Sequence, residues 1–564
     1  MFRYQILYLV TILSSCFLVA CQDSSLNSNN NNLEVSIEQT EDIVLDQRPN
    51  ILLIVADDMG YTDLGAYGGE IDTPNLDQLA SEGLLLTDFH NQAVCAPTRA
   101  AILSGTDNHN AGGNMHQAPN QIELPGYESY LNESVVTFPA LLQQVGYNTY
   151  WAGKWHLGGE PHQTPNVRGF DRSFALLNPW ASHFHDRSFN TPERKVNYLE
   201  DGIPVETLPL DFYSSDFYTD YLIDAINKDM DSGDPWFAFL GYTAPHWPLQ
   251  APDEAIAKYQ GFYDEGYEVL RENRIERAKE LGVFPETAAT YPRLDAVQPW
   301  HELTEQQQAI SAKEMEAYAA MVDVMDQNIG RLIDHLKAIG QYENTYIVFI
   351  SDNGAEGQAR PSQGFDNSYE NMGRINSNIY YGAGWAQAGV GVMRYYKSLS
   401  SEGGIRGPAI INHPLGLTKF GEISDAFATV VDLAPTFLEL AGAKHPQFGF
   451  NGRPIQPHIG ESLLSLTNGE AEKVHSDDYV YAWEIFGHLA VRKGDWKLLR
   501  LSSNPAEARQ AGTQDADYWG LYDMKTDPGE TNNLAEEMPD KVQELLIAWE
   551  QYSEENNLVI PIVD

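Results

Sequence analysis

Ile51-Leu52-Leu53-Ile54-Val55-Ala56-Asp57-Asp58 decides the fold class of this 564-residue chain. The run is apolar without alternation and ends in two carboxylates. A strand with one wet face alternates in polarity, whereas a strand covered on both faces does not, and that is the habit of parallel sheets. Thr345 to Ile350 repeats the pattern and runs through Ser351 into Asp352-Asn353-Gly354. Asn148 to Ala152, Trp236 to Leu240 and Leu84 to Phe89 read as further strands.

Helical segments fall between them. Pro74 to Gly83, Ala100 to Leu103 and Phe138 to Val145 are short ones. Thr304 to Ile339 is long, with Tyr318, Val322, Met325, Ile329, Leu332 and Leu336 at three- or four-residue spacing. Strands alternating with helices predict an α/β fold: a large, mostly parallel sheet with helices on both faces. The tail differs. Ala490 to Leu499 and Trp519 to Met524 read as short strands, and Asp540 to Tyr552 as an amphipathic helix. This predicts a smaller C-terminal α+β subdomain with a short antiparallel sheet and a terminal helix. The expected organisation is a catalytic domain over 49–450 and the subdomain over 451–564.

The N-terminal stretch reads as an export signal over 1–20. Arg3 precedes an apolar run, Ile6 to Ala20, that is short for a membrane span. It ends Leu18-Val19-Ala20-Cys21, which resembles a bacterial lipobox and implies lipidation at Cys21. An ordinary signal peptide with an incidental cysteine is the other reading. Residues 21–48 are rich in Ser, Asn, Asp and Glu and read as a flexible tether. The expected location is an exported bacterial lipoprotein, held to a membrane in the periplasm or at the cell surface.

Lys and Arg number 35 against 80 Asp and Glu, a formal charge of −45. Phosphate backbones require basic stripes, so nucleic acid is excluded as a partner. For an anionic substrate, positive charge must be gathered locally.

Ligands in open α/β sheets bind beyond the carboxyl ends of strands. Asp57, Asp58, Asp352 and Asn353 all follow such ends. Three carboxylates and an amide at one edge form a donor set for a hard cation, Ca²⁺ or Mg²⁺; a turn or helix cap explains either pair taken alone. Lys154 and His156 follow the next strand, two residues apart, and in extended chain they face one way. A solvated loop is the alternative. His246 sits in Ala244-Pro245-His246 past another strand. Lys397 and Arg406 flank Glu402-Gly403-Gly404. Cys95 is one of only three cysteines, and the other two, Cys16 and Cys21, lie in the leader. It opens Cys95-Ala96-Pro97-Thr98-Arg99 beside a helix start, with Pro97 suited to a first turn.

These elements together resemble the sulfatase family. Cys95-Ala96-Pro97-Thr98-Arg99 matches its Cys-x-Pro-Ser/Thr-Arg signature. Ala100 to Gly105, Gly153 to Gly158, Asp57-Asp58, Ala244-Pro245-His246, Ser351-Asp352-Asn353-Gly354 and Gly403-Gly404-Ile405-Arg406 follow the family's order. The resemblance covers roughly 49–557 and looks closest to bacterial arylsulfatases, formylglycine-dependent members of the alkaline phosphatase superfamily.

The resemblance implies an alkaline-phosphatase-like fold and a sulfuric ester hydrolase. Cys95 would be oxidised to formylglycine by a maturation enzyme that reads Pro97 and Arg99. Asp57, Asp58, Asp352, Asn353 and the modified Cys95 would bind one Ca²⁺. Arg99 would hold the modified side chain, and Lys154 and Lys397 would grip sulfate oxygens. His156 would contact the aldehyde hydrate, and His246 would protonate the leaving oxygen. The implied substrate is a small aryl or alkyl sulfate or a sulfated sugar. The rival readings are a carbohydrate sulfatase, a phosphodiesterase or phosphonate monoester hydrolase of the same superfamily, and a non-catalytic lipoprotein that binds sulfated glycans. Gly407 stands where the family continues with Val, which predicts a looser loop. His183, His185, Trp180 and Trp385 are further candidates for lining a pocket, with core or loop packing as the alternative.

Overall fold

The computed structural model describes residues 48–114, 118–185, 187, 194–358, 363–502 and 518–561. The expected leader, the lipidation at Cys21 and the tether up to residue 47 lie outside the described residues.

Among the described residues the main body includes the strands β1 (Asn50–Ala56), β2 (Leu84–Leu86), β3 (Phe89–His90), β4 (Asn148–Lys154), β5 (Arg172–Leu176), β6 (Tyr198–Glu200), β7 (Ile203–Pro204), β8 (Trp236–Gly241), β9 (Thr345–Ser351), β10 (Ala409–Asn412) and β11 (Glu422–Ser424). All but β3 join one ten-stranded sheet in the order β11-β2-β10-β9-β1-β8-β4-β5-β6-β7. Its centre, β9-β1-β8-β4-β5, is parallel throughout. β10 and β6 are antiparallel to their inner neighbours, β9 and β5. β1, β8 and β9 are buried along their whole length, which is why their sequences are unbroken apolar runs.

Helices cover the sheet. The longest, Glu305–Ala338, starts at Thr304, which forms a capping box with Gln307. It packs on the helices Pro74–Ser81, Ser214–Asp229 and Asp253–Lys258. Among the described residues no helix is long and apolar enough to cross a membrane.

The C-terminal part carries a four-stranded antiparallel sheet, Val480–Ile485, His488–Lys493, Trp496–Arg500 and Gly520–Asp523. The helix Pro539–Glu555 covers it, sharing a cluster in which Leu545, Trp549 and Tyr552 meet Val491, Leu498 and Leu521.

Two expected strands are each two. Ala490 to Leu499 is a hairpin, because Gly494 takes a positive φ of 58° and Lys493 pairs with Trp496. Leu84 to Phe89 breaks at Thr87-Asp88. There the Thr87 carbonyl accepts from Tyr61 and Arg406, and the Asp88 carboxylate takes both terminal nitrogens of Arg492.

Candidate functional site

Register places the site. β1 and β9 are parallel neighbours, and Ala56 stands opposite Ser351. The next residues, Asp57-Asp58 and Asp352-Asn353, therefore leave the sheet side by side. β8 and β4 end at the same level, Gly241 opposite Gly153. Lys154 closes β4, and the chain after β8 carries His246 to the same edge. The helix Cys95–Ser104 brings Cys95 and Arg99 in from above. Gly241 clears the way for Arg99, since a Cβ there would sit 3.1 Å from Arg99 Nη1, and Gly153 allows β4 to lie close to β8, since a Cβ there would collide with the Gly241 carbonyl. Arg99 Nη1 can then donate to the Lys154 carbonyl at 2.6 Å, while its Nε and Nη2 donate to Asp352 Oδ2 at 3.0 and 2.9 Å.

Every member of this cluster is buried. Cys95 Sγ lies 3.2 Å from Asp57 Oδ1 and 3.9 Å from Asp58 Oδ1. Lys154 Nζ donates to Asp57 Oδ2 at 2.5 Å, and Lys397 Nζ to Asp58 Oδ1 at 2.6 Å. Asn353 Nδ2 donates to Asp58 Oδ1 at 2.7 Å. His246 Nε2 is 3.4 Å from Asp58 Oδ2, while its Nδ1 meets the Trp247 carbonyl at 2.5 Å. A carbonyl only accepts, so Nδ1 carries the proton and Nε2 is the nitrogen turned to the carboxylates. Asp58, His156 and Ser398 adopt positive φ, at 67°, 57° and 75°. Left-handed backbone at non-glycine residues is held only where the surroundings over-determine it, and it gathers at functional sites.

The electrostatics follow from burial and crowding. Burial, then Asp352, pushes the Asp57 carboxyl up to about 7, against the pull of Lys154. Burial, then Asp352 and Asp57, holds the Cys95 thiol well above its ordinary range. A thiol kept protonated is a poor nucleophile. Lys397 is raised in spite of burial because Asp58, Cys95 and Glu356 surround it. Burial, then Lys154 and Arg99, depresses His156; burial, then Lys397 and Lys154, depresses His246.

A cation fits this donor set. Asp57, Asp58, Cys95 and Asp352 offer ligand atoms all within 4.8 Å of one another. Asp58 Oδ2 and Asn353 Oδ1 are buried without a hydrogen-bond partner; the 3.4 Å approach of His246 Nε2 to Asp58 makes no hydrogen bond. Orphaned buried oxygens are costly, and a hard ion that prefers oxygen would satisfy both. A second buried acidic group, Asp88, His90 and Glu402, is already neutralised. Arg492 and Arg406 flank Asp88, and Lys497 sits 2.7 Å from Glu402.

The sulfatase family model matches residues 49–443, and the model for the C-terminal part of N-sulphoglucosamine sulphohydrolase matches residues 393–551. This chain belongs to the sulfatase family. An uncharacterized sulfatase of Schizosaccharomyces pombe is 43% identical over 538 residues, covering 91% of this chain and 95% of that protein. An arylsulfatase of Klebsiella aerogenes is 40% identical over 437 residues, 75% and 92% of the two chains. The crystal structure of Ps i-CgsB with bound k-i-k-neocarrahexaose superposes with a TM-score of 0.63 at 25% identity, covering 90% and 93%. The sulfatase is thus a sulfuric ester hydrolase, with the fold of the alkaline phosphatase superfamily and a small C-terminal sheet.

The sulfatase gathers Asp57, Asp58, Cys95, Arg99, Lys154, His246, Asp352, Asn353 and Lys397 into one cluster. His156 joins the same field, although Lys154 and His156 do not share one extended strand. The strand ends at Lys154, and His156 turns left-handed beyond it. Arg406 is not a site residue; it anchors to Thr87 and Asp88. Trp385 does not line a pocket. It is fully buried among Tyr263, Tyr267 and Trp300, with Nε1 donating to Ser311. Gly407 does not loosen its loop: the Asn91 amide fills the space, 2.7 Å from where a Cβ would stand, and donates to the Ser351 carbonyl. Glu356, 3.3 Å from Lys397, carries no motif signal and emerges only from the fold.

Proposed function

We propose that this sulfatase hydrolyses small aryl or alkyl sulfate monoesters to the phenol or alcohol and inorganic sulfate. The observation that carries this reading is the pair of buried lysines, Lys154 and Lys397, converging with Arg99, His156 and His246 around Cys95. In a chain of charge −45, these basic groups gather against Asp57, Asp58 and Asp352, so a cation held by the carboxylates would leave the lysines and imidazoles for one tetrahedral anion. Trp180 lies face to face with His246, ring centroids 5.7 Å apart and planes at 24°, which suits a ring on the leaving side. The named arylsulfatase relative supports the same class.

Asp57, Asp58, Asp352 and Asn353 would hold Ca²⁺, which supplies charge neutralisation and a lowered hydroxyl pKa at residue 95. Cys95, oxidised to formylglycine by a maturation enzyme, would supply as its hydrate one hydroxyl to attack sulfur and a second to let sulfate depart. The remaining steps belong to side chains in place. Lys154 and Lys397 bind the sulfuryl oxygens and stabilise the charge that develops there. Arg99 fixes Asp352 and the Lys154 carbonyl, so the cluster is preorganised. As an imidazolium, the form that a bound sulfate anion favours against the burial and lysines that depress the ring, His246 would hand the Nε2 proton to the leaving oxygen, and His156 takes a proton from the residue-95 side. The chain would reach its substrate as an exported lipoprotein, anchored to a membrane through lipid at Cys21.

Protein matured in its own host, assayed on phenyl, alkyl and sugar sulfates and on an aryl phosphate diester, tests the reading. Faster turnover of the phosphate diester overturns it. Mass spectrometry of the peptide containing residue 95 must show loss of the thiol; an intact cysteine in active protein would remove the proposed nucleophile. Detergent partitioning of the host protein and of Cys21→Ser tests the anchor. A carbohydrate sulfate is the second reading, favoured by the oligosaccharide bound in the neighbouring solved structure. Preference for a sugar sulfate in the same panel would select it.

A further inference from the structure

We propose that His183 is a positioning residue that fixes the proton donor His246, an inference that rests on His246 serving as the general acid.

His183 is 1% exposed and lies behind His246, on the chain that follows β5. Its Nε2 is 3.0 Å from the backbone carbonyl of His246. Its Nδ1 is 2.8 Å from Ser214 Oγ, which also receives Thr243 Oγ1 at 3.2 Å. These contacts decide the tautomer. The carbonyl can only accept, so Nε2 carries the proton and Nδ1 is the acceptor for the Ser214 hydroxyl. Burial lowers the His183 pKa to about 4, so the ring stays neutral and this arrangement persists at neutral pH.

The ring is itself immobilised. Its backbone carbonyl accepts from Ser214 N at 2.8 Å. Its backbone N–H donates to Gln250 Oε1 at 3.0 Å, and Gln250 Nε2 donates to the Ser377 carbonyl at 2.7 Å. Gln250, 1% exposed, thus ties three loops together: the one after β5, the one after β8 that bears His246, and the one around Ser377.

His246 is held from both sides as a result. The Trp247 carbonyl fixes its side chain through Nδ1, and His183 fixes its main chain through the carbonyl. Trp180 lies flat over its ring. A proton donor must stay within about 0.5 Å of its productive position to be effective, and misplacement by ~1 Å can cost on the order of 10²-fold. Of the clustered site residues, His183 hydrogen-bonds to His246, and its other side-chain partners, Ser214 and Thr243, lie outside the cluster, so its effect on the site passes through His246.

The test is the dependence of kcat/KM on the leaving group's pKa. Proton donation matters most for a poor leaving group. His183→Leu should lower turnover of an alkyl sulfate by about tenfold or more, short of the ~10²–10⁴ available from general acid catalysis. It should leave a nitrophenyl sulfate changed by less than about threefold, steepening the dependence. His183→Gln restores an N–H near the Nε2 position and should recover most of the loss. Equal losses across all leaving groups, or a Gln variant no better than Leu, would overturn the proposal. Should the Leu variant fail to fold, Ser214→Ala, which removes the hydrogen bond to Nδ1, gives the same readout with a smaller effect; no steepening there counts against the proposal. His246→Ala, run in parallel, separates the two levels. If it does not steepen the dependence, the general-acid reading falls; if it does and the His183 and Ser214 variants do not, only the present inference falls.

Discussion

Lys154 Nζ lies 2.5 Å from Asp57 Oδ2, and neither side chain exposes any surface. One residue closes β4 and the other follows β1, two strands that flank β8. The lysine offsets an anionic cluster, and in the proposed mechanism it also stabilises a sulfuryl oxygen.

Lys154→Met should therefore act twice. Breaking a buried ion pair from one side costs about 3–5 kcal/mol, and denaturant unfolding in the presence of a chelator should show a loss of that order. Added Ca²⁺ should narrow the gap, because the ion takes over neutralisation of Asp57. Turnover should fall about 10²–10³-fold, as for removal of one oxyanion donor. An unchanged kcat would remove Lys154 from sulfate binding.

Chelation alone makes a second prediction. With Asp58 Oδ2 and Asn353 Oδ1 unsatisfied, Ca²⁺ should raise the melting temperature in proportion to the logarithm of its concentration. The stabilisation should reach about 2.7 kcal/mol at a hundredfold excess over Kd. Asp352→Ala should abolish this dependence, and calorimetric titration should count one ion per chain.

His109 gives a pH prediction away from the site. It lies between Asp107, 2.8 Å away, and Glu484, 3.1 Å away. Burial lowers its pKa, but the two carboxylates more than offset this and raise it from 6.5 to about 9. The folded state then holds a proton that the unfolded chain releases, so the contribution is complete below about pH 6.5 and disappears as pH rises through 9. At ~1.4 kcal/mol per pKa unit, the loss is on the order of 3 kcal/mol. Urea midpoints from pH 6 to 9.5 should fall for the wild type and fall less for His109→Gln.

Lys497 gives the last prediction. It is fully buried and meets Glu402 and Glu530, each at 2.7 Å. Burial pushes Glu402 up, yet Lys497 and His90 hold it well below the usual carboxylate range. Lys497→Met should cost about 3–5 kcal/mol, because it takes the lysine from Glu530 and leaves Glu402 to His90 and Arg406 alone. Because Glu402 opens the short helix Glu402–Ile405 beyond Lys397, kcat/KM should also fall in the variant that still folds. A stable, fully active variant would show the C-terminal sheet to be independent of the site.

Much of the fold was legible in β1, β8 and β9, where burial on both faces leaves unbroken apolar runs. The ligand-type residues at their ends were legible for the same reason, since parallel strands deliver their C-termini to one edge. The hairpin at Gly494 and the break at Thr87-Asp88 were less so. Each depends on a single backbone conformation or on distant partners, Arg406 and Arg492, that apolar patterning does not encode. Trp385 illustrates the limit for aromatic residues, because a tryptophan in the core and one at a binding surface have the same local sequence.

The sequence alone determined the chemical inventory: which strands end in carboxylates, which cysteine stands in a signature, and which lysines and histidines follow strands. Those properties are local, set by side-chain type and short-range periodicity. Only the tertiary structure decided which of them meet. The Lys154–Asp57 and Lys397–Asp58 pairs, the unsatisfied oxygens of Asp58 and Asn353, and the support of His246 by His183 span tens to hundreds of residues. They exist because parallel register and dense packing bring separate loops within hydrogen-bond distance, and no single segment carries that information.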